Sequence, residues 1–233
     1  LSAAQGFFAS TPLTEETEAA GLSRLDVIRP LEAERGRTAS LDLTRTTEAG
    51  SFTVTLFASR VDDPVGVDRD EAYVLFNRAR ASTNTGVELL GTWRHGPFAA
   101  TSSYTYVRSR EESDGRLQET PLTPAHSAGL VGMWEPEGVG RVGVEVYYTG
   151  RQRLEVNPYR DASVPYVIVG ALVERRFGRV RLFLNAENLT DVRQTRWDPL
   201  VRPSRGADGR WTVDGWAPLD GRGDLRPWAS GRL

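Results

Sequence analysis

The chain has 233 residues, with 29 basic and 31 acidic side chains, a formal charge of −2 and no cysteine. A hydrophobic fraction of 39% argues against wholesale disorder, and the near-zero charge argues against nucleic-acid binding through a general basic surface. Without cysteine there are no disulfides, thiolate metal sites or cysteine nucleophiles, and no apolar run is long enough for a transmembrane helix.

The first residues differ from the rest. Thr11–Ala20 opens on Thr-Pro and is rich in Glu, which predicts a short helix or an acidic loop, and Leu31–Gly36 predicts a further helical turn. From Thr38 onward the dominant period is two. Ala39, Leu41 and Leu43 oppose Ser40, Asp42 and Thr44. Phe52, Val54, Leu56 and Ala58 oppose Thr53, Thr55 and Ser59, with Phe57 breaking the polar face. The same alternation returns around Val87–Trp93, Ala128–Trp134, Val142–Tyr148 and Val180–Ala186. It predicts half-buried strands, with starts near Thr38, Ser51, Tyr73, Phe98, Ala125, Arg141, Tyr166, Arg179, Trp211 and Arg222. These are about ten strands, with runs close to the length a tilted strand needs to cross a bilayer.

Alternation by itself fits either a soluble sandwich or an outer-membrane barrel, whose polar face lines the lumen. The connections favour the barrel. Short turns fall at Glu48–Gly50, His95–Pro97, Pro136–Gly140 and Phe177–Gly178. Long charged stretches fall between them, at Asp62–Glu71, Glu111–Pro124, Gly150–Pro165 and Leu189–Arg210. Strict alternation of short and long puts all turns at one end and all loops at the other, as in outer-membrane barrels. Trp93, Trp134, Tyr147, Tyr148 and Phe177 stand near strand ends, where an interfacial girdle belongs, although aromatics are also simply good strand formers.

Several motifs carry a family resemblance. Asn185-Ala186-Glu187-Asn188-Leu189-Thr190-Asp191 resembles the N-x-x-N-L-x-D segment near the end of TonB-dependent outer-membrane receptors. Pro218-Leu219-Asp220-Gly221-Arg222 resembles their P-x-x-G-R turn before the last strand. Thr83 to Glu88, with Gly86 and Glu88, resembles a T-x-G-x-E strand start. Pro121 to His126, with Pro124 and His126, resembles P-x-x-P-x-H. Gly6 to Pro12 is similar to a G-F-x-A-P segment that follows a mid-barrel strand.

The resemblance implies an all-β, antiparallel, up-and-down transmembrane barrel of roughly 22 strands, of which this chain would supply the C-terminal part. Residues 1–37 would be a preceding strand end with its extracellular loop, and 38–233 the C-terminal strands. The plug domain and the first half of the barrel would lie outside this sequence. The implied function is active uptake of a scarce nutrient across the outer membrane of a Gram-negative bacterium. A ferric siderophore leads, with cobalamin, haem and carbohydrate as alternatives. The implied partners are outer-membrane lipid and lipopolysaccharide, the TonB energy-transducing complex acting through the plug, and a small-molecule ligand such as a metal chelate. No cofactor and no nucleic acid enter. The segment Gly223–Leu233 departs from the family, because Pro227 would interrupt a closing strand. The other readings are a soluble β-sandwich binding module and a small complete outer-membrane pore or adhesin.

Little in the chain points to catalysis. His95 and His126 have no partner at ligand spacing, so no metal site is expected. The acidic group Asp62, Asp63, Asp68, Asp70 and Glu71 lacks the spacing of a calcium loop. No G-x-S-x-G occurs, and the absence of Lys excludes a phosphate-binding P-loop. Arginine is more informative. Arg108, Arg110, Arg151, Arg153, Arg193, Arg196, Arg202 and Arg205 gather toward the long-loop ends. Each reads first as a solvated loop cation, and second as a contact for lipopolysaccharide phosphate or an anionic chelate. Tyr104, Tyr106 and Arg108 share one face and are expected in the lumen, with Glu88 and Glu145.

Overall fold

The structure, a computed structural model, describes residues 1–9, 25–27, 31–69, 73–113, 115–154, 160–193, 201–205 and 211–216. Among them there is no helix, and hence none long and apolar enough to cross a membrane. The main element is one antiparallel sheet built from β1 (Ser2–Phe8), β3 (Glu34–Thr47), β4 (Gly50–Asp62), β7 (Ser82–His95), β8 (Phe98–Ser113), β10 (His126–Trp134), β11 (Gly140–Thr149), β12 (Tyr166–Phe177) and β13 (Val180–Ala186), paired in that order. A tenth strand, β9 (Arg116–Glu119), pairs with the upper part of β8. Within the described residues β1 and β13 are open edges.

Four tight turns join β3 to β4, β7 to β8, β10 to β11 and β12 to β13, all at one end. Gly96 (φ +53°), Gly138 (φ +72°) and Gly178 (φ +58°) occupy left-handed positions in three of them, a backbone conformation that strains other residues even where the space around is open. The long connections all leave the opposite end.

One long-loop assembly has structure of its own. The strands β2 (Leu25–Val27), β6 (Tyr73–Asn77) and β5 (Val65–Arg69) form a small three-stranded sheet, in which β2 runs parallel and β5 antiparallel to β6. It holds Leu75, the one fully buried large apolar side chain among the described residues. Asn77 ties it to the rim, with Nδ2 donating to Asp63 O (2.7 Å) and Glu32 O (3.1 Å) and Oδ1 accepting from Glu32 N (2.7 Å). Glu34 accepts from Val65 N at 2.7 Å. Arg78 reaches the Glu112 carbonyl and the Glu111 carboxylate. A last pair, β14 (Val201–Arg205) with β15 (Trp211–Trp216), forms a separate two-stranded sheet.

Several sequence expectations change. The helical turn at Leu31–Gly36 is not formed: β3 begins at Glu34, with Arg35 to Arg37 paired to β4 on one side and β1 on the other. Two ladders of partners outweigh a weak local helical preference. The strand expected from Tyr73 belongs to the small sheet, and the wall strand in its place is β7. The strand at Trp211 pairs with β14 and not with the wall. Thr11–Ala20 and the strand expected from Arg222 lie outside the described residues.

Candidate functional site

The register assigns every wall residue to a face, because residues directly opposite each other in a ladder share one. One face carries Leu41, Leu43, Phe52, Val54, Leu56, Val87, Leu89, Ala128, Leu130, Val144, Val146, Val169, Val173, Leu182 and Leu184, from seven strands linked through the ladders. It has no cover: Leu130 is 49% exposed and Leu184 70%. A soluble sandwich would bury these side chains against a second sheet, and none lies on them within the described residues. Such a face suits hydrocarbon.

Aromatic residues border this face at both ends. Phe52, Trp93, Phe98, Trp134 and Phe177 lie toward the short turns, and Tyr104, Tyr106 and Tyr148 toward the long loops. At about 3.4 Å per residue, Phe98 to Tyr106 spans about 27 Å of strand, or about 20 Å of height at a tilt of about 40°. That is comparable with the apolar band of an outer-membrane barrel, about 25 Å tall.

The other face is polar and laced by side-chain bonds. Asp42 accepts from Thr55 Oγ1 at 2.8 Å, Thr44 and Thr53 hydroxyls meet at 3.0 Å, and Ser51 and Thr92 hydroxyls at 2.8 Å. Glu88 lies between Thr55 and Thr105 in the register, and Glu145 accepts from Tyr147 Oη at 3.3 Å. Near the short turns Glu174 joins three strands, 3.1 Å from Arg141 and 3.3 Å from Arg181. Apolar side chains interrupt this face at Phe57, Leu90, Val131, Leu172 and Phe183. Phe57 lies across Gly86, where an added Cβ would sit 2.6 Å from the Phe57 ring and 2.2 Å from Tyr106 O. Tyr147 covers Gly129 similarly. An aromatic ring over a strand glycine restores the packing that the missing side chain leaves open.

Tyr104, Tyr106 and Arg108 are not on this polar face. Their Cα partners are Leu89, Val87 and Thr85, which puts them on the apolar side. Arg110, opposite Thr83 and Glu119, follows Arg108 on the same side. The sequence of β8 misleads because both of its faces carry hydroxyls, so alternation does not separate them; Leu89 and Leu130 on the flanking strands do. Glu88 and Glu145 fall on the polar face as expected.

The remaining candidates serve the chain ends of strands. Asn188 (φ +50°) and Asp191 (φ +48°) adopt left-handed conformations, which Asn and Asp tolerate best. Asn188 accepts from Val192 N at 2.9 Å and donates to Val192 O at 3.0 Å, while Leu189 N donates to Val169 O at 2.8 Å. Thus Asn188, Leu189 and Asp191 fold the chain back over the end of β12. Asn185 donates to Glu187 at 2.9 Å. Pro124 precedes β10, where Ala125 O accepts from Val107 N at 3.0 Å. Arg153 donates to Glu119 O at 3.1 Å and joins two long loops, and Arg151 is exposed beside it. Arg193 pairs with Asp191 at 2.7 Å. The side chains of Arg196, Arg202 and Arg205, and all of Pro218, Leu219, Gly221 and Arg222, lie outside the described set. The Asn77 anchor and the Glu174 bridge carry no local signal in the sequence; both depend on partners that other strands or loops supply.

Residues 2–189 match the family described as TonB dependent receptor-like, beta-barrel. The chain belongs to this family. Among solved structures, the ferric-catecholate import receptor Fiu from E. coli K12 is similar at 18% identity and a TM-score of 0.58, over 70% of this chain and 24% of that one. The FrpB iron transporter from Neisseria meningitidis is similar at 11% identity and 0.59, over 72% and 28%. The ferric enterobactin receptor PfeA from Pseudomonas aeruginosa is similar at 16% identity and 0.56, over 70% and 26%. The chain therefore spans about a quarter of the length of these receptors. No curated protein matches it. TonB-dependent receptors are transport proteins of the Gram-negative outer membrane, and this chain is a portion of such a barrel.

Proposed function

We propose that this chain forms wall and loops of an outer-membrane receptor that takes up a scarce nutrient, with a ferric siderophore as the leading ligand class. The observation that supports it best is a sheet with one uncovered apolar face between two aromatic rows and one polar face laced by hydrogen bonds. The polar face lines the lumen, and the apolar face meets outer-membrane lipid, including lipopolysaccharide at the long-loop end. Ligand approaches from the long loops, where Arg151 and Arg153 offer cationic forks to an anionic chelate. A plug domain and the TonB complex supply the coupling. Transport makes and breaks no covalent bond, so the wall's task is to be rigid, polar inside and apolar outside.

The test is uptake by cells that carry the complete gene under iron limitation. Radio-iron delivered as a catecholate chelate should accumulate in a TonB-dependent way and fall to background on deletion. Unchanged iron uptake alongside lost uptake of cobalamin or a carbohydrate would overturn the ligand class and leave the receptor reading standing.

A further inference from the structure

The long-loop end of the apolar face carries a cluster that a passive wall does not require. Tyr104, Tyr106 and Arg108 succeed one another on that face of β8, and His126 opens β10 directly opposite Tyr106. Tyr104 Oη lies 2.8 Å from His126 Nδ1, and the Tyr106 and His126 ring centroids are 5.0 Å apart. Ala128 links Tyr104 to Tyr148 across the next strand, which extends the row. Arg108 is exposed, has the uncharged Thr85 as its Cα partner, and makes no ion pair among the described residues. Arg110 above it is opposed by Glu119.

We propose that Arg108, Tyr104, Tyr106 and His126 form a binding site for the phosphorylated headgroup of a lipid in the leaflet that meets the long loops. The proposal rests on the outer-membrane reading of this wall. An unpaired guanidinium at the lipid-facing edge of an apolar band is costly unless it reaches a headgroup anion, and its fork matches a phosphate. Tyrosine rings sit well at headgroup level, with the hydroxyl toward water and the ring toward the chains. When Tyr104 donates to Nδ1, the neutral imidazole carries its proton on Nε2 and offers a second donor. A free anion would leave the rings without a role. A lipid uses them, because its acyl chains then run down over Ala128 and Leu130 on the same face.

The experiment is native mass spectrometry of the complete protein, extracted from its own membrane in mild detergent, with retained phosphorylated lipid counted per protein. Arg108→Gln should lower retention about fivefold, the effect of one cation near an anionic headgroup layer. Arg94→Gln, on the polar face at the other end, should leave it unchanged. Added lipid A should bind only with its phosphates, and millimolar inorganic phosphate should not displace it. Equal retention by Arg108→Gln, or displacement by inorganic phosphate, overturns the site. Heat-modifiable gel mobility shows whether Arg108→Gln has assembled; if it has not, Tyr106→Leu, which keeps an apolar surface, carries the same expectation of loss. A protein absent from the outer-membrane fraction would overturn the underlying wall reading, a result separate from failure of the site in an assembled protein.

Discussion

At the scale of single residues, polar and glycine positions do the most specific work. Gly86 admits no side chain without displacing the Phe57 ring and the Tyr106 carbonyl. Gly86→Val should therefore destabilise the assembled wall by about 1–3 kcal/mol, the usual range for overpacking, seen as a lower temperature for the heat-modifiable mobility shift. Asn188 holds a left-handed backbone and closes its own turn with two hydrogen bonds. Asn188→Ala should cost about 1–3 kcal/mol from strain and lost bonds, and Asn188→Gly less, because glycine relieves the strain. Equal stability of the two variants would show that the side-chain bonds, and not the backbone conformation, carry the motif. The Asn188 motif is visible in the sequence because its parts are adjacent. Asn77 is not, because its acceptors are contributed by Glu32 and Asp63.

At the scale of elements, the strands differ in how openly they declare their faces. In β4, β11 and β13 apolar and polar residues alternate, and the sequence reading and the register agree. In β8 they do not, and only pairing with β7 and β10 places Tyr104, Tyr106 and Arg108. Adjacent substitutions in β10 test the assignment. Leu130→Arg, in the middle of the apolar face, should destabilise insertion by about 2–4 kcal/mol, whereas Val131→Arg, one residue on and on the polar face, should be tolerated. Denaturant unfolding in lipid vesicles measures both, and equal penalties would contradict the two-faced wall. The small sheet is a second element with its own packing. Leu75→Ala should cost about 2–5 kcal/mol locally and raise hydrogen exchange in β5 and β6, with little change in β10 to β13.

At the scale of the whole molecule, the sheet has almost no interior. A single large apolar side chain, Leu75, is fully buried among the described residues, and it lies in the small sheet and not in the wall. Stability must then come from backbone ladders and the polar-face hydrogen bonds and, on the proposed membrane reading, from hydrocarbon against the apolar face. With the outer edges of β1 and β13 open among the described residues, the isolated chain should aggregate in detergent-free buffer, since open edges and an uncovered apolar face both invite other chains. A monodisperse, monomeric chain without detergent, read by light scattering, would overturn that expectation and the membrane reading with it.

The sequence by itself determined the strand class, the segregation of short turns from long loops and the family, because period-two alternation, turn glycines and adjacent motif residues are all local. The tertiary structure decided which face each ambiguous strand presents, that residues 34–36 extend a strand, and that two loops share a small sheet. Each of these depends on a partner strand distant in the chain, and a one-residue change of register would send every side chain to the opposite face.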